Sequence, residues 1–269
     1  MLKIRKFAAI DIGSNAVRLL INNVIEYPDR PTQFKKSALV RVPVRLGEDS
    51  FTVGEISKQN ASRIIDTMKS FKLLMRVHGV EQYMACATSA MREANNGNEL
   101  VGIVRQKAGI DIEIIDGKKE AAIIASTDLY NLLDSEKTYL YVDVGGGSTE
   151  FTIFDRGKIV ESKSFKVGTV RLLNEMSSKQ TWLEIQKWIT KASKKYKKID
   201  IIGSGGNINK LFKMSGRKPG EALSYVYLNS QYQFLQELTY EQRITDLGLN
   251  PDRADVIIPA AQIYLNAFK

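Results

Sequence analysis

Three short stretches of the chain concentrate residues that could handle phosphate. "IDIGSN" (10–15), "VDVGGGSTE" (142–150) and "GSGGN" (203–207) each place glycine where an apolar run ends. Without a Cβ, glycine lets the backbone close on an anion, and successive N–H groups form a concave nest for phosphate-like groups. After the third stretch a helix is expected, and its N-terminus adds partial positive charge. The candidate phosphate donors are Ser14, Asn15, Gly145, Gly146, Gly147, Ser148, Gly205 and Gly206. Asp11 and Asp143 close the strands before the first two turns, and Glu150 follows the second. One Gly-rich turn is ordinarily just a hairpin; three of them point to phosphate chemistry. Neither G-x-x-x-x-G-K-[ST] nor the spacing of G-x-G-x-x-G is present, so the P-loop and the dinucleotide fingerprint are excluded.

These turns need strands and helices to hold them. "FAAIDIGSNAVRLLINNVI" reads as strand, turn, strand, and "KKSALVRVPV" as a third strand that Pro43 confines to an edge or an end. Ile64, Ile65, Met68, Phe71 and Met75 form one stripe of a helix. "QYMACA" and "DIEII" read as strands around a helix that ends near Gly109, and a helix over 116–133 follows, with Asp116 able to cap it. The strands "TYLYVDVG", "STEFTIFD" and "KIVESKSF", the helices "GTVRLLNEM" and "TWLEIQKWITKAS", the strand "KIDIIG" and a helical remainder complete the chain. "AAIDIGSNAVRLLI" and "LYVDVGGGSTEFTIF" share one plan, with Asp11 matching Asp143 and Gly13 matching Gly145 at an offset of 132 residues. That offset is about a domain's length. Two related α/β domains, 1–116 and 117–269, are therefore expected, with the Gly-rich turns across an interdomain cleft.

Composition narrows the chemistry. A single His and a single Cys argue against zinc, so any metal is expected to be a hard, oxygen-bound ion, Mg²⁺ or Mn²⁺. His78 sits where a helix ends and reads as a favourable C-terminal cation rather than a general base. Cys86 alone can form no internal disulfide, which suggests a reducing cytoplasm. No apolar run approaches the ~18 residues of a membrane span, and the opening "MLKIRKFAAIDIGSN" runs into Asp and Gly rather than a cleavage site. The net charge of +9 favours a polyanionic partner; neither nucleic acid nor a membrane is expected. Two readings stand for the lysines of "KASKKYKKID" (191–200): a solvated helix end or a groove for an anionic chain.

The chain resembles the exopolyphosphatase / guanosine pentaphosphate phosphohydrolase (Ppx/GppA) family. The resemblance is carried, in order, by "AAIDIGSNAVRLLI", "VRLGE", "ATSAMREANN", "IDGKKEAAII", "VDVGGGSTEF", "VGTVRL", "GSGGNINKL" and "RADVIIPA". It implies two ribonuclease-H-like domains of the actin-like ATPase and sugar kinase superfamily. It also implies Mg²⁺-dependent release of terminal phosphate from polyphosphate or from a guanosine pentaphosphate alarmone.

The resemblance also assigns roles. Glu120 matches the family's catalytic base; from the residues alone, a glutamate in a first helical turn is usually a helix-stabilising acid. Asp143 and Glu150 suit the metal, with a turn cap and an outward-facing strand residue as their plainer roles. Arg92 could reach bound phosphate through its forked donors, with Thr88 and Ser89 capping the next helix or joining it. Arg45, read on an edge strand, is a weaker phosphate contact, since such arginines are usually solvated. Asp11, unable to donate while ionised, anchors the first turn or a metal-bound water in the phosphate site. Two departures stand out: Lys119 where relatives often carry an acid, and an end at Lys269 where the family usually continues through a further strand and helix. A homodimer is compatible with this reading. The rival functions are an ATP-dependent small-molecule kinase and a non-catalytic polyphosphate or alarmone binder.

Overall fold

Apolar residues at alternate positions draw Lys3–Ile12 (β1) and Val17–Glu26 (β2) into an antiparallel hairpin that buries Ile10, Ile12, Val17, Leu19 and Ile21. The computed structural model describes residues 2–125, 134 and 136–268, and the chain divides into two compact units, Met1–Asp116 and Gly117–Lys269. In the first unit Gln33–Val42 (β3) is an edge strand that stops before Pro43, while Gln82–Ala87 (β4) runs parallel to β1. The "DIEII" strand shrinks to Glu113–Ile114 (β5), and the sheet order is β3-β2-β1-β4-β5.

Lys58–His78 (α2) begins at Ser57, whose side chain accepts from the Asn60 amide, and stops at Gly79 in the left-handed region at φ 70°. The stripe Ile64, Ile65, Met68, Phe71 and Met75 is buried, and His78 is the last helical residue. Gly97–Ala108 (α4) packs on α2 and ends at Gly109. Two further helices are short: Leu46–Thr52 (α1), which the sequence reading lacks, and Ser89–Glu93 (α3), the helix expected after Thr88. Arg45 is consequently not an edge-strand residue. It sits at φ 61° at the entry to α1, where its amide donates to the Asn15 carbonyl. Thr88 precedes α3 but provides no side-chain cap.

The second unit repeats the plan with four strands: Thr138–Val144 (β6), Thr149–Asp155 (β7), Lys158–Phe165 (β8) and Asp200–Ser204 (β9), in the order β8-β7-β6-β9. β6 pairs antiparallel with β7 and parallel with β9, as β1 does with β2 and β4. Gly117–Ala125 (α5) packs on β7 and β8; the rest of the helix expected over 116–133 lies outside the described residues. Thr169–Leu173 (α6) and Lys179–Ser193 (α7) follow β8. Gly206–Met214 (α8) starts one residue after β9, so the expected "SGGN" loop is reduced to Gly205. Tyr225–Glu237 (α9), Tyr240–Thr245 (α10), Pro251–Ala254 (α11) and Ile257–Ala267 (α12) complete the unit. No helix among the described residues is long and apolar enough to cross a membrane.

The second sheet has two chemically different faces. Leu140, Val142, Phe151 and Ile153 point into an apolar core with Ile185 and Trp188 of α7 and Ile257 and Ile263 of α12. Phe151, Phe165 and Trp188 form an aromatic triangle with centroids 5.7–6.2 Å apart. The alternate positions Tyr141, Asp143, Glu150 and Thr152 share the other face. Phe151→Ala should lower unfolding stability by about 3–5 kcal/mol, the usual range for deleting a fully buried aromatic ring. Denaturant midpoints of the two proteins measure this.

Candidate active site

The β6–β7 turn of the second unit is held by its carbonyls. The Gly145 amide closes the turn on the Ser148 carbonyl at 3.0 Å. The Thr169 amide donates to the Gly145 carbonyl (3.0 Å), and the Val170 and Arg171 amides to Gly146 (2.9 and 3.3 Å). The buried Arg171 donates Nε–H to the Gly147 carbonyl at 2.6 Å. Carbonyls 145–147 are thus all claimed by the start of α6. Among the described residues the amides of Gly146, Gly147 and Ser148 have no acceptor, although buried N–H groups are nearly always paired. Three successive donors without an acceptor, fixed from behind, are a preformed nest for an anion.

Asp143 and Glu150 stand directly opposite one another across β6 and β7. Cross-strand neighbours lie about 4.5–5.5 Å apart at Cβ, and like charges there repel. Glu150 is 3% exposed, and its Oε1 accepts from Ser148 Oγ at 2.7 Å and Ser164 Oγ at 2.8 Å. The half-buried Asp143 makes itself felt on its surroundings. Burial, and then the Asp143 charge, push the Tyr141 phenol above its ordinary range and the Tyr264 phenol well above it. Tyr264 donates to the Ser204 carbonyl at the end of β9.

Glu120 enters this face from α5. A Cβ on Gly117 would lie 2.9 Å from the Ser164 Cβ, so the start of α5 rests on the residue that holds Glu150. Glu120 follows Gly117 by three residues and shares its side of the helix. It is half-buried, with its Oε2 shielded from water. Gly205 and Gly206 close the same end of the sheet, since Asp143 pairs with Ser204 and a Cβ on Gly205 would lie 3.6 Å from the Val144 carbonyl. Gly205 adopts φ 117°, a region that glycine tolerates. The Arg253 guanidinium stands 3.0 Å from where a Gly206 Cβ would be.

The first unit gathers a separate group. Ser14 is buried with its Oγ 3.0 Å from Ser89 Oγ, and its carbonyl accepts from the Gly47 amide at 2.8 Å. Arg45 joins this group through its amide bond to Asn15, while its Nε pairs with Glu48 at 2.7 Å. Asp11 is bonded to Arg18 Nη1 at 2.8 Å, an exposed pair. Arg92 Nη1 donates to the Ile115 carbonyl at 2.5 Å and so ties α3 to the end of β5. Sequence reasoning did not single out Ser164, Gly168, Arg171 or Tyr264. "VGTVRL" was a signal for Gly168 and Arg171, whereas Ser164 becomes visible only once β8 is in register.

The comparisons bear on this arrangement. The model of the Ppx/GppA phosphatase family matches residues 36–269. The chain belongs to the Ppx/GppA phosphatase family. It is 26% identical to the Aquifex aeolicus Ppx/GppA structure, with a TM-score of 0.75 over 99% of this chain and 90% of that one. It is 25% identical to the structure of an exopolyphosphatase from Cytophaga hutchinsonii, with a TM-score of 0.81 over 97% and 89%. Among curated Ppx/GppA relatives, Exopolyphosphatase 1 of Mycobacterium tuberculosis is 24% identical over 96% of this chain and 80% of its own length. The bifunctional 3-dehydroquinate synthase/phosphatase of Fusobacterium nucleatum is 28% identical over 93% of this chain, which spans only 41% of that protein. The fold is thus the family's two-unit α/β architecture of actin-like domains.

Gly168→Ala tests the anchored turn. Its Cβ would fall 2.4 Å from the Gly146 carbonyl oxygen. The substitution should cost about 1–3 kcal/mol by overpacking. It should also abolish any thermal protection by added polyphosphate, which a melting series with and without the anion measures.

Proposed function

We propose that the protein hydrolyses terminal phosphoanhydride bonds of inorganic polyphosphate and releases orthophosphate. The observation that carries this reading is the carbonyl-anchored Gly145–Ser148 turn beside the opposed Asp143 and Glu150, in a chain of a phosphatase family. Relatives named exopolyphosphatase support polyphosphate as the substrate, and the charge of +9 suits a long polyanion.

In the proposed reaction the amides of Gly146, Gly147 and Ser148 hold the oxygens of the terminal phosphoryl group and stabilise the charge that grows there. Glu120 takes a proton from the attacking water. The water oxygen bonds to the terminal phosphorus as the bridging P–O bond breaks, and the shortened chain leaves with the bridging oxygen. Ser148 and Ser164 fix the Glu150 carboxylate, and Arg171 fixes the turn.

The residues present fit a hard dication. Asp143 and Glu150 offer carboxylate oxygens, and a positive ion relieves their mutual repulsion. Among the described residues no group of three or more His, Cys, Asp or Glu side chains gathers. That sparse set matches Mg²⁺ or Mn²⁺, which keeps several waters and takes further ligands from substrate phosphates. When bound, the ion would neutralise charge on the phosphoryl oxygens.

Orthophosphate release from polyphosphate, with and without Mg²⁺, tests the reading, with guanosine pentaphosphate as a parallel substrate. No release from polyphosphate by the wild type under any divalent ion would overturn it. Glu120→Gln should lower kcat by about 10²–10⁴-fold with little change in KM, as loss of a general base does. Ser164→Ala should melt close to the wild type yet raise the Mg²⁺ concentration for half-maximal activity about 10–100-fold, as losing a carboxylate's supporting hydrogen bond does. Ser164→Thr should restore most of it, and calorimetric Mg²⁺ binding provides a readout independent of turnover.

A further inference from the structure

We infer that the second unit carries a non-catalytic anion site that holds the body of a long polyphosphate chain, away from the end being hydrolysed. This rests on polyphosphate as the substrate. The site is a recess of about 590 Å³ at the start of β6 and β9, lined by Lys137, Arg156, Lys195, Tyr196, Lys197 and Lys198. β6 leads from this recess at Thr138 to the Gly-rich turn after Val144, so the recess is about 20 Å from the turn at 3.3 Å per residue.

The recess is made by the fold, not by one run of charge. Its cations come from three separate stretches: the entry to β6, the β7–β8 turn and the segment after α7. α7 ends at Ser193, so Lys195, Lys197 and Lys198 have left the helix. The solvated helix end, one of the two readings of this run, therefore applies only to Lys191 and Lys194.

Three acids also line the recess, and two have partners. Asp155 accepts from Thr138 Oγ1 at 2.6 Å, and Asp200 lies 3.7 Å from Lys198. Arg156, Lys195 and Lys197 make no ion pair with any described residue. Arg156 holds φ 50° and Gly157 φ 72°, left-handed turn positions where Asn, Asp or Gly is favoured. Tyr196 adds a hydroxyl donor to the lining, and burial, and then the charges of Asp155 and Glu161, raise its phenol above its usual range.

The chemistry selects a base-free polyanion. Proteins that hold single-stranded nucleic acid stack successive bases on aromatic side chains, and among the described residues Tyr196 is the only aromatic one lining the recess. A flexible chain of phosphates needs cations and donors alone.

The test uses the full chain carrying Glu120→Gln, so that bound polymer persists, and compares it with the same protein bearing Lys195→Glu, Lys197→Glu and Lys198→Glu. All three lysines are exposed, and near-ultraviolet circular dichroism checks the fold. Binding of end-labelled long-chain polyphosphate should weaken at least about tenfold. The slope of log affinity against log salt should fall by about two, at roughly 0.7 per lost contact on a flexible strand. In the otherwise wild-type protein, the three substitutions should raise KM for long chains about tenfold while leaving tripolyphosphate hydrolysis within about twofold. Unchanged long-chain binding overturns the site, as does an equal loss on tripolyphosphate. Tighter binding of single-stranded RNA than of polyphosphate through the same lysines also overturns it, in favour of a nucleic-acid surface. If the wild type hydrolyses no polyphosphate, the hydrolase reading fails while the binding comparison still decides the recess.

Discussion

The second unit is organised around an unusual way of holding a turn. Carbonyls 145–147 are all taken from one side by the first turn of α6 and by Arg171. A peptide whose carbonyl is fixed presents its N–H with little freedom, so the donors are ordered before any anion arrives. This demands close approach, and Gly168 is the residue that permits it, with no room for a Cβ against Gly146. The aromatic core beneath β6 and β7 then keeps the two strands in the register that aligns Asp143 with Glu150.

The two units share a hairpin plan but not its charges. Asp11 faces Arg18 in the first hairpin, and the pair neutralises itself at 2.8 Å. At the matching place in the second hairpin, 132 residues on, Glu150 replaces the arginine. A single difference at matching places of the two hairpins thus separates a self-satisfied ion pair from two opposed carboxylates. Ser164 ties this acidic pair to α5, because it bonds Glu150 and packs against Gly117. The helix that bears Glu120 and the strand that bears Glu150 therefore meet on one serine.

Much of the scaffold was legible because its signals are local. Apolar runs on either side of Gly-rich turns marked β1, β2, β6 and β7, a helical stripe marked α2, and Gly79 and Gly109 ended their helices where a left-handed residue was needed. The short helix α1 was not legible, for it is too short to show a period and is held by contacts from elsewhere. Gly47 donates to Ser14, and Ser50 Oγ to the Ala90 carbonyl. Arg45 was misplaced for the same reason: Pro43 ends the strand, and a bond to Asn15 then turns the chain into α1.

The sequence by itself determined the glycines, the strand-end acids, the duplication and the family, since each lies in contiguous residues whose chemistry is intrinsic to them. Only the tertiary structure decided which partners those residues have. It gave Asp11 to Arg18, set Asp143 against Glu150, brought Ser164 and Gly117 together and moved Lys195, Lys197 and Lys198 off their helix into a recess. The physical reason is register: strand pairing joins residues far apart in the chain, and shifting a strand by one residue would turn every side chain to the opposite face.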